Sequence, residues 1–215
     1  MYTLYGSDHS GSAAIEMALI RCGVEYCVVK ASSWEKNTAE EALSRLNPLV
    51  QIPTLILPDG SVLTESAAIM IFLGLEYPDA GILSTNASVR SQQLRGLIYI
   101  VTNCYASIGM IDYPERWLGS NQKASLKALA EGATHKLYQQ WETFSDIFHA
   151  SAAWCPQAPG GLEMLACVVT RWSAARDYLR TARADFYASL LEIDHYPLIN
   201  HVVQNHWPST CSGQQ

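Results

Sequence analysis

The feature that most constrains this chain is a change of hydrophobic period near Tyr77-Pro78. Before it, strand-like and helix-like runs alternate. Tyr2-Thr-Leu-Tyr is a short β-branched and aromatic run closed by Gly6, and residues 12–22 carry apolar side chains at helical spacing. Gly23 predicts the stop of that helix, and Val24-Glu-Tyr-Cys-Val-Val reads as a second strand. A crossover helix over residues 39–46 follows. Pro53-Thr-Leu-Ile-Leu then reads as a strand, Pro58-Asp-Gly-Ser as a turn, Val62-Leu as a short returning strand, and residues 66–76 as an apolar helix. A βαβ unit followed by ββα predicts a small α/β domain whose hairpin adds antiparallel strands to one sheet edge. After it, helical periodicity persists from Val89 to about Asn205 without a strand pair. The expected division is therefore residues 1–78, a polar linker 79–87, and an all-helical domain 88–207.

Composition narrows the function classes. The 215 residues are 49% hydrophobic and only 16% charged, against a usual charged fraction of about 25%, which excludes intrinsic disorder. Fourteen basic residues are outnumbered by 20 acidic ones, a net charge of -6 with no basic run, which argues against a nucleic-acid partner. Apolar stretches such as 94–101 and 162–169 fall short of the roughly 20 residues that span a bilayer, so no membrane association is expected. The first residues lack the basic and apolar regions of a signal peptide, and a cytoplasmic location is expected. Cys22, Cys27, Cys104, Cys155, Cys167 and Cys211 form no CxxC pair, spell out neither a zinc site nor a redox dithiol, and read mostly as small buried hydrophobes.

Two segments can carry chemistry. The loop Gly6-Ser-Asp-His-Ser-Gly-Ser joins the first strand to the first helix, where unpaired N–H groups and the helix dipole favour a thiolate or carboxylate. Ser7, Ser10 and Ser12 read either as ligands to such an anion or as caps and turn formers. His9 reads either as a general base or as a solvated loop side chain. The second segment is Asn47-Pro-Leu-Val-Gln-Ile-Pro-Thr-Leu, followed by Asp59-Gly-Ser-Val-Leu-Thr-Glu-Ser-Ala-Ala-Ile. Pro53, opening a strand after Ile52, is placed for a cis peptide. Thr64-Glu-Ser reads either as a cap, through Thr64 or Ser66, or as a helix start that receives a carboxylate while Glu65 pairs with an ammonium.

Taken in this order, the two segments resemble the thioredoxin-like half of a cytosolic glutathione S-transferase, over residues 1–78. Tyr113-Pro-Glu-Arg-Trp and Thr170-Arg-Trp are similar to segments of bacterial members. Gly160-Gly-Leu-Glu is similar to the family's capping box on a buried helix, with Gly160 replacing the usual Ser or Thr and Glu163 the usual Asp. The resemblance implies an N-terminal thioredoxin-like domain, an all-helical second domain, glutathione as co-substrate, no metal, a homodimer and a detoxification role. The low charged fraction suits a subunit contact.

Ser10 is the position that matches the serine-type catalytic hydroxyl, donating a hydrogen bond to the glutathione sulfur and so lowering the thiol pKa. The register also admits Ser7 or Ser12. Gln51, Ile52, Pro53, Glu65 and Ser66 match the tripeptide-binding positions, with Ile52 pairing through its backbone, Pro53 as the cis proline, and Glu65 and Ser66 at the γ-glutamyl end. Val50 stands where the family usually has glycine. Lys36 is a candidate for the glycine carboxylate. The electrophile is expected on the helix from Val89, where Tyr99, Asn103 and Ser107 share a face with Tyr105 nearby; equally, Tyr99 and Tyr105 pack helix on helix. Trp117, Trp141, Trp154 and Trp172 read as core. The resemblance thus implies a transferase that conjugates or removes glutathione at an electrophilic carbon of a small apolar substrate through a stabilised thiolate. The alternatives are a glutathione-dependent isomerase of the maleylacetoacetate type, or a binding or regulatory protein that keeps the fold without catalysis.

Overall fold

The computed structural model describes residues 1–32, 34, 39–119 and 122–208. Two compact units emerge, one of Met1–Ile82 with the segment from Asp194 onward, the other of Leu83–Ile193. Helical periodicity places residues 88–207 in one helical domain, whereas the last described helix groups with the sheet. Its physical tie to the first helix is the part-buried pair of His206 and Glu16.

In the first unit, strand β1 (Tyr2–Gly6) leads to helix α1 (Ser12–Arg21), strand β2 (Tyr26–Lys30) and helix α2 (Glu40–Leu46). Strands β3 (Thr54–Ile56) and β4 (Val62–Thr64) and helix α3 (Ser66–Glu76) complete the ββα half. The sheet order is β2-β1-β3-β4, with β1 parallel to β2 and antiparallel to β3, and β4 antiparallel to β3. This is the expected thioredoxin-like arrangement. Leu4 and Leu55 lie directly opposite each other in the ladder, and both are fully buried. α1 and α3 pack together, burying Ile15, Met17 and Leu19 from one and Ile69, Met70 and Leu73 from the other. α1 stops because Gly23 adopts φ +66, a conformation that costs glycine little, and its N–H returns to the Ile20 carbonyl at 3.0 Å.

The second unit is helical. Asn86 caps α4 (Ala87–Tyr99), its side chain accepting from the N–H groups of Ser88 and Val89 at 3.0 and 3.1 Å. The helix continues through a π turn, Ile100–Cys104, into α5 (Tyr105–Asp112). The combined run Ala87–Asp112 is long and apolar enough to cross a membrane by length and composition, longer than the apolar stretches the sequence suggests. It packs within the helical unit: a Cβ on Gly96 would meet the Leu162 side chain at 2.7 Å and Phe148 at 3.4 Å. Next come α6 (Glu115–Leu118) and α7 (Lys123–Phe144), the latter extended by a second π turn, Ser145–His149. The centre is aromatic, with Trp141, Phe144 and Phe148 inaccessible to solvent.

α8 (Gly161–Val169) is buried along its whole length, as an all-round apolar helix must be. Glu163 caps it by accepting from the N–H of Gly160 at 2.9 Å and of Cys155 at 2.7 Å. The glycine supplies no hydroxyl for the other half of the box, so the acidic residue alone closes the turn. α9 (Ala175–Ala182), α10 (Ala184–His195) and α11 (Pro197–His206) end the described chain.

Of the tryptophans read as core, Trp141 and Trp154 are buried, Trp172 is half-buried and Trp117 is exposed. Trp117 lies on the short α6, which has no buried residue and leaves no interior face for the ring. Cys104 and Cys167 are buried as expected, Cys22 and Cys27 are half-buried, Cys155 is exposed, and Cys211 lies outside the described residues.

Candidate functional site

The sheet register brings the two chemically suggestive segments to one place. Tyr5 lies opposite Thr54, and Thr54 opposite Thr64, so a single row crosses β1, β3 and β4. One step beyond that row the chain reads Gly6 on β1, Pro53 before β3 and Glu65 after β4. The serine loop, the Ile52-Pro53 peptide and the start of α3 therefore leave the sheet side by side. Because α1 and α3 begin there, both helix N-termini open at that end of the sheet.

The three serines form a compact hydroxyl cluster. Ser7, Ser10 and Ser12 are all buried. The Ser10 hydroxyl donates to the Ser7 carbonyl at 2.7 Å and lies 2.7 Å from the Ser12 hydroxyl. Ser12 Oγ reaches the same carbonyl at 3.1 Å. The backbone N–H of Ser12 donates to Ser10 Oγ at 3.2 Å, and that of Ser7 to Ser12 Oγ at 3.3 Å. Capping of α1 takes an unconventional form, since Gly11 is its N-cap and the serine side chains bond mainly to one another and to Ser7. His9 is exposed, at φ +59, with its ring edge-on to Trp207 at a centroid distance of 5.7 Å.

The Ile52-Pro53 peptide is cis, as the sequence suggests. The loop before it is held by Asn47, whose Nδ2 donates to the Gln51 carbonyl at 3.0 Å and to Thr54 Oγ1 at 3.2 Å. Thr54 Oγ1 donates to the same carbonyl at 2.8 Å, and Leu49 N–H to Asn47 Oδ1 at 3.1 Å. Asn47 and Thr54 are buried, so this clasp shapes the loop from inside, a role that sequence reading did not assign them. The Asn-Pro pair is the signal that could have pointed to it. Gln51 is exposed and Ile52 half-buried. Val50 adopts φ +52, the backbone region that favours glycine, the residue the family resemblance implies for this position.

Glu65 is exposed and is the N-cap of α3, at φ +66 and ψ 112, and makes no side-chain cap. The cap expected of Thr64 or Ser66 is absent for a geometric reason: Thr64 ends β4, Ser66 is already the first helical residue, and Glu65 occupies the position between them. Ser66 is buried.

The described Lys and Arg side chains of the first unit up to Tyr77 are engaged. Lys30 pairs with Asp8, Arg45 with Glu41, and the Arg21 guanidinium donates to Tyr196 Oη at 3.1 Å. Lys36 lies outside the described residues. An open recess of about 360 Å³ involves Arg21, Cys22, Glu76 and Tyr77, at the C-terminal ends of α1 and α3 and so at the opposite ends from the serines. Burial pushes the Cys22 thiol there up to about 11, which keeps it protonated. Among the described residues no group of three or more His, Cys, Asp or Glu is arranged to hold a metal.

In the helical unit, Tyr99 donates to the Gln140 carbonyl at 2.9 Å and its ring packs on Phe144 and Phe148. Ser107 donates to Gln140 Oε1 at 2.8 Å. Asn103 sits in the π turn, half-buried, and donates to the Tyr99 carbonyl at 3.0 Å. Tyr105 meets Trp172 edge to face, centroids 5.5 Å apart. Tyr99 and Tyr105 thus pack helix on helix, and Asn103 marks the π turn, a distortion that recurs at functional sites.

Comparison with known proteins accords with this geometry. Residues 12–75 match the family model "Glutathione S-transferase, N-terminal domain". The chain is 35% identical over 120 residues to the uncharacterized GST-like protein YncG of Escherichia coli (strain K12), a match covering 54% of this chain and 57% of that protein. It is 29% identical over 106 residues to the glutathione S-transferase GstA of Escherichia coli O157:H7, covering 48% and 53%. The match thus spans a little over half the length of these curated relatives. The structure of a sphingomonad glutathione S-transferase complexed with glutathione superposes with a TM-score of 0.77 at 18% identity, covering 96% of this chain and all of that one. Residues 12–75 thus carry the N-terminal domain of the glutathione S-transferase family, with bacterial relatives, and the fold of a sphingomonad member extends over nearly the whole chain.

Proposed function

We propose that the protein is a glutathione transferase that acts at an electrophilic carbon of a small apolar substrate. The observation that carries this reading is the single row Tyr5, Thr54, Thr64, which sets the serine cluster beside the cis Ile52-Pro53 peptide and the start of α3. An extended tripeptide fits such a row. Its cysteinyl unit pairs with the Ile52 backbone beside Pro53 and Gln51, and its γ-glutamyl end meets Glu65 and Ser66. Its sulfur lies at Ser10, at the N-terminus of α1.

The chemistry asks little else of the chain. A hydrogen bond from Ser10 and the dipole of α1 both favour the charged form of the sulfur, so more thiolate exists at neutral pH. The thiolate attacks the electrophilic carbon, the leaving group departs with the bonding electrons, and the thiol proton has already gone to solvent. With Lys30, Arg45 and Arg21 engaged elsewhere, helix N-termini and backbone N–H groups hold the anionic ends. Residues 1–78 are the proposed glutathione-binding domain and residues 88–207 the proposed carrier of the electrophile contacts Tyr99, Asn103 and Tyr105. A homodimeric state, a cytoplasmic location and a detoxification role complete the proposal, with no nucleic-acid, membrane or metal partner.

The test is retention on immobilised glutathione, followed by the ultraviolet band of bound thiolate in wild type and Ser10→Ala. Retention, with a band that disappears in the variant, is the expected result. A wild-type protein that passes straight through would sink the reading, and a band unchanged in Ser10→Ala would remove Ser10 from its role.

A further inference from the structure

The hydroxyl cluster contains a proton-counting problem whose solution gives Ser12 a role. Two hydroxyls and one carbonyl make three oxygen–oxygen contacts, Ser10 to Ser7 O at 2.7 Å, Ser12 to Ser7 O at 3.1 Å, and Ser10 to Ser12 at 2.7 Å. A serine hydroxyl carries one proton. Two protons therefore serve three contacts. If both pointed at the carbonyl, two oxygens would face each other at 2.7 Å with nothing between them. One hydroxyl must donate to the other, and the remaining proton goes to the Ser7 carbonyl. Both oxygens also accept a backbone N–H, from Ser12 and from Ser7.

The cluster thus has two orders of donation. In one, Ser12 donates to Ser10 and Ser10 to the carbonyl. In the other, Ser10 donates to Ser12 and Ser12 to the carbonyl. Only a rotation of the two O–H bonds separates them, because every heavy-atom distance is already within reach. The second order matters for an anion at Ser10. With Ser12 serving the carbonyl, Ser10 can rotate its hydroxyl off Ser12 and toward the anion, which opens the 2.7 Å contact between the two oxygens while the buried acceptor keeps a hydroxyl donor.

We propose that Ser12 is a positioning residue for this site: by taking over the Ser7 carbonyl it releases the Ser10 proton to the glutathione sulfur. The inference rests on the glutathione reading above. Ser12 itself is poorly placed to touch a ligand. It is 1% exposed, and its Cβ and Oγ lie 2.5 Å from where a Cβ on Gly6 would stand, so it is wedged against the end of β1. Its effect passes through Ser10.

Without the Ser12 hydroxyl, the single remaining proton is contested between the Ser7 carbonyl and the sulfur. Ser12→Ala keeps the Cβ that fills the space beside Gly6 and removes only the hydroxyl. The decisive measurement is the pH titration of the bound-glutathione thiolate band in wild type, Ser12→Ala and Ser10→Ala. The midpoint of such a titration reports only on folded, loaded protein, so partial unfolding lowers its amplitude and leaves its position unmoved. The expected result is a midpoint raised by roughly one pH unit in Ser12→Ala, the size of one buried hydrogen bond expressed as a pKa shift. Glutathione affinity at low pH, where the thiol is neutral, should stay near wild type. A Ser12→Ala midpoint equal to wild type, beside a raised midpoint or a lost band in Ser10→Ala, overturns the proposal for Ser12 and leaves the glutathione reading standing. A wild type without a thiolate band overturns both.

Discussion

His206 Nε2 lies 2.7 Å from Glu16 Oε2, joining the last described helix to the first across 190 residues of sequence. The other carboxylate oxygen accepts from Tyr26 Oη on β2 at 3.0 Å. His206 is 5% exposed, and one face of α11 lies along α1. A carboxylate this enclosed is held by its partners. Burial alone pushes the Glu16 carboxyl up, but the hydrogen bonds from His206 and Tyr26 outweigh it and bring it below the usual carboxylate value.

The sign of the resulting pH dependence follows. A carboxyl with a lowered folded-state pKa contributes stability that is fully present above its unfolded value, about 4.3 for glutamate, and that is lost as pH falls through the lower folded value. Urea midpoints of wild type should therefore drop steeply below about pH 4, and Glu16→Gln should flatten that part of the profile. At pH 7, Glu16→Ala should cost about 2 kcal/mol, because it strips partners from buried polar groups. A Glu16→Gln profile parallel to wild type between about pH 2 and 5 would refute the assignment.

Glu163 makes a second enclosed acceptor, 1% exposed, with the N–H groups of Gly160 and Cys155 donating to its two oxygens. Glu163→Ala leaves two donors without that acceptor at the start of the most buried helix, and about 2–4 kcal/mol of stability should be lost. Glu163→Gln keeps one carbonyl oxygen and should lose about half as much. Equal losses in the two variants, measured by urea unfolding, would show that volume rather than hydrogen bonding decides.

Val50 offers a stabilising change. A β-branched residue in the left-handed region costs about 1–2 kcal/mol, while glycine costs about 0.5–1 kcal/mol in the entropy of the unfolded chain. At φ +52 the strain outweighs the entropy. Val50→Gly should raise stability by about 0.5–1 kcal/mol, read as a higher urea midpoint with an unchanged slope.

Particular residues show which parts of this molecule a sequence exposes. The period change at Tyr77-Pro78 and the bounds of α3, Ser66–Glu76, follow from local patterns that the tertiary structure does not override. The cis peptide at Pro53 is equally local. Whatever depends on partners remote in sequence stays hidden. His206 looks like an ordinary helical histidine until α11 is laid on α1, and Trp117 looks like core until α6 proves too short to have an interior face. The π turn at Ile100–Cys104 hides for another reason, since one extra residue in a 26-residue helical run barely alters its apolar spacing. In the site, the three serines are legible as hydroxyls, but that two of them share one backbone carbonyl and touch each other shows only in the distances.

Gly6 shapes the serine cluster from behind. A Cβ there would stand 2.5 Å from both Cβ and Oγ of Ser12, and although the Oγ can rotate away, the Cβ is fixed by the backbone. Gly6→Ala should cost about 1–3 kcal/mol and displace the Ser12 hydroxyl from the Ser7 carbonyl. The joint signature is a lower urea midpoint with a raised pH midpoint of the bound thiolate. A destabilised variant with an unshifted thiolate would separate packing from chemistry at this position.

Glu65 sets stability against function in one residue. At φ +66 and ψ 112 its backbone lies where side-chain-bearing residues are rare, at a cost of order 1–3 kcal/mol, whereas glycine there would lose about 0.5–1 kcal/mol to unfolded-state entropy. Its side chain makes no cap that would repay the strain. Glu65→Gly should therefore be more stable than wild type by about 1 kcal/mol. The same change removes the carboxylate proposed to pair with the γ-glutamyl ammonium, so retention on immobilised glutathione should fall at least tenfold, the equivalent of about 1.4 kcal/mol of binding. Glu65→Gln separates the two effects, since it keeps the strained backbone and loses only the charge. It should match wild type in its urea midpoint and Glu65→Gly in its weakened retention. A Glu65→Gly protein that is both more stable and fully retained would show that the strain at this position serves something other than glutathione.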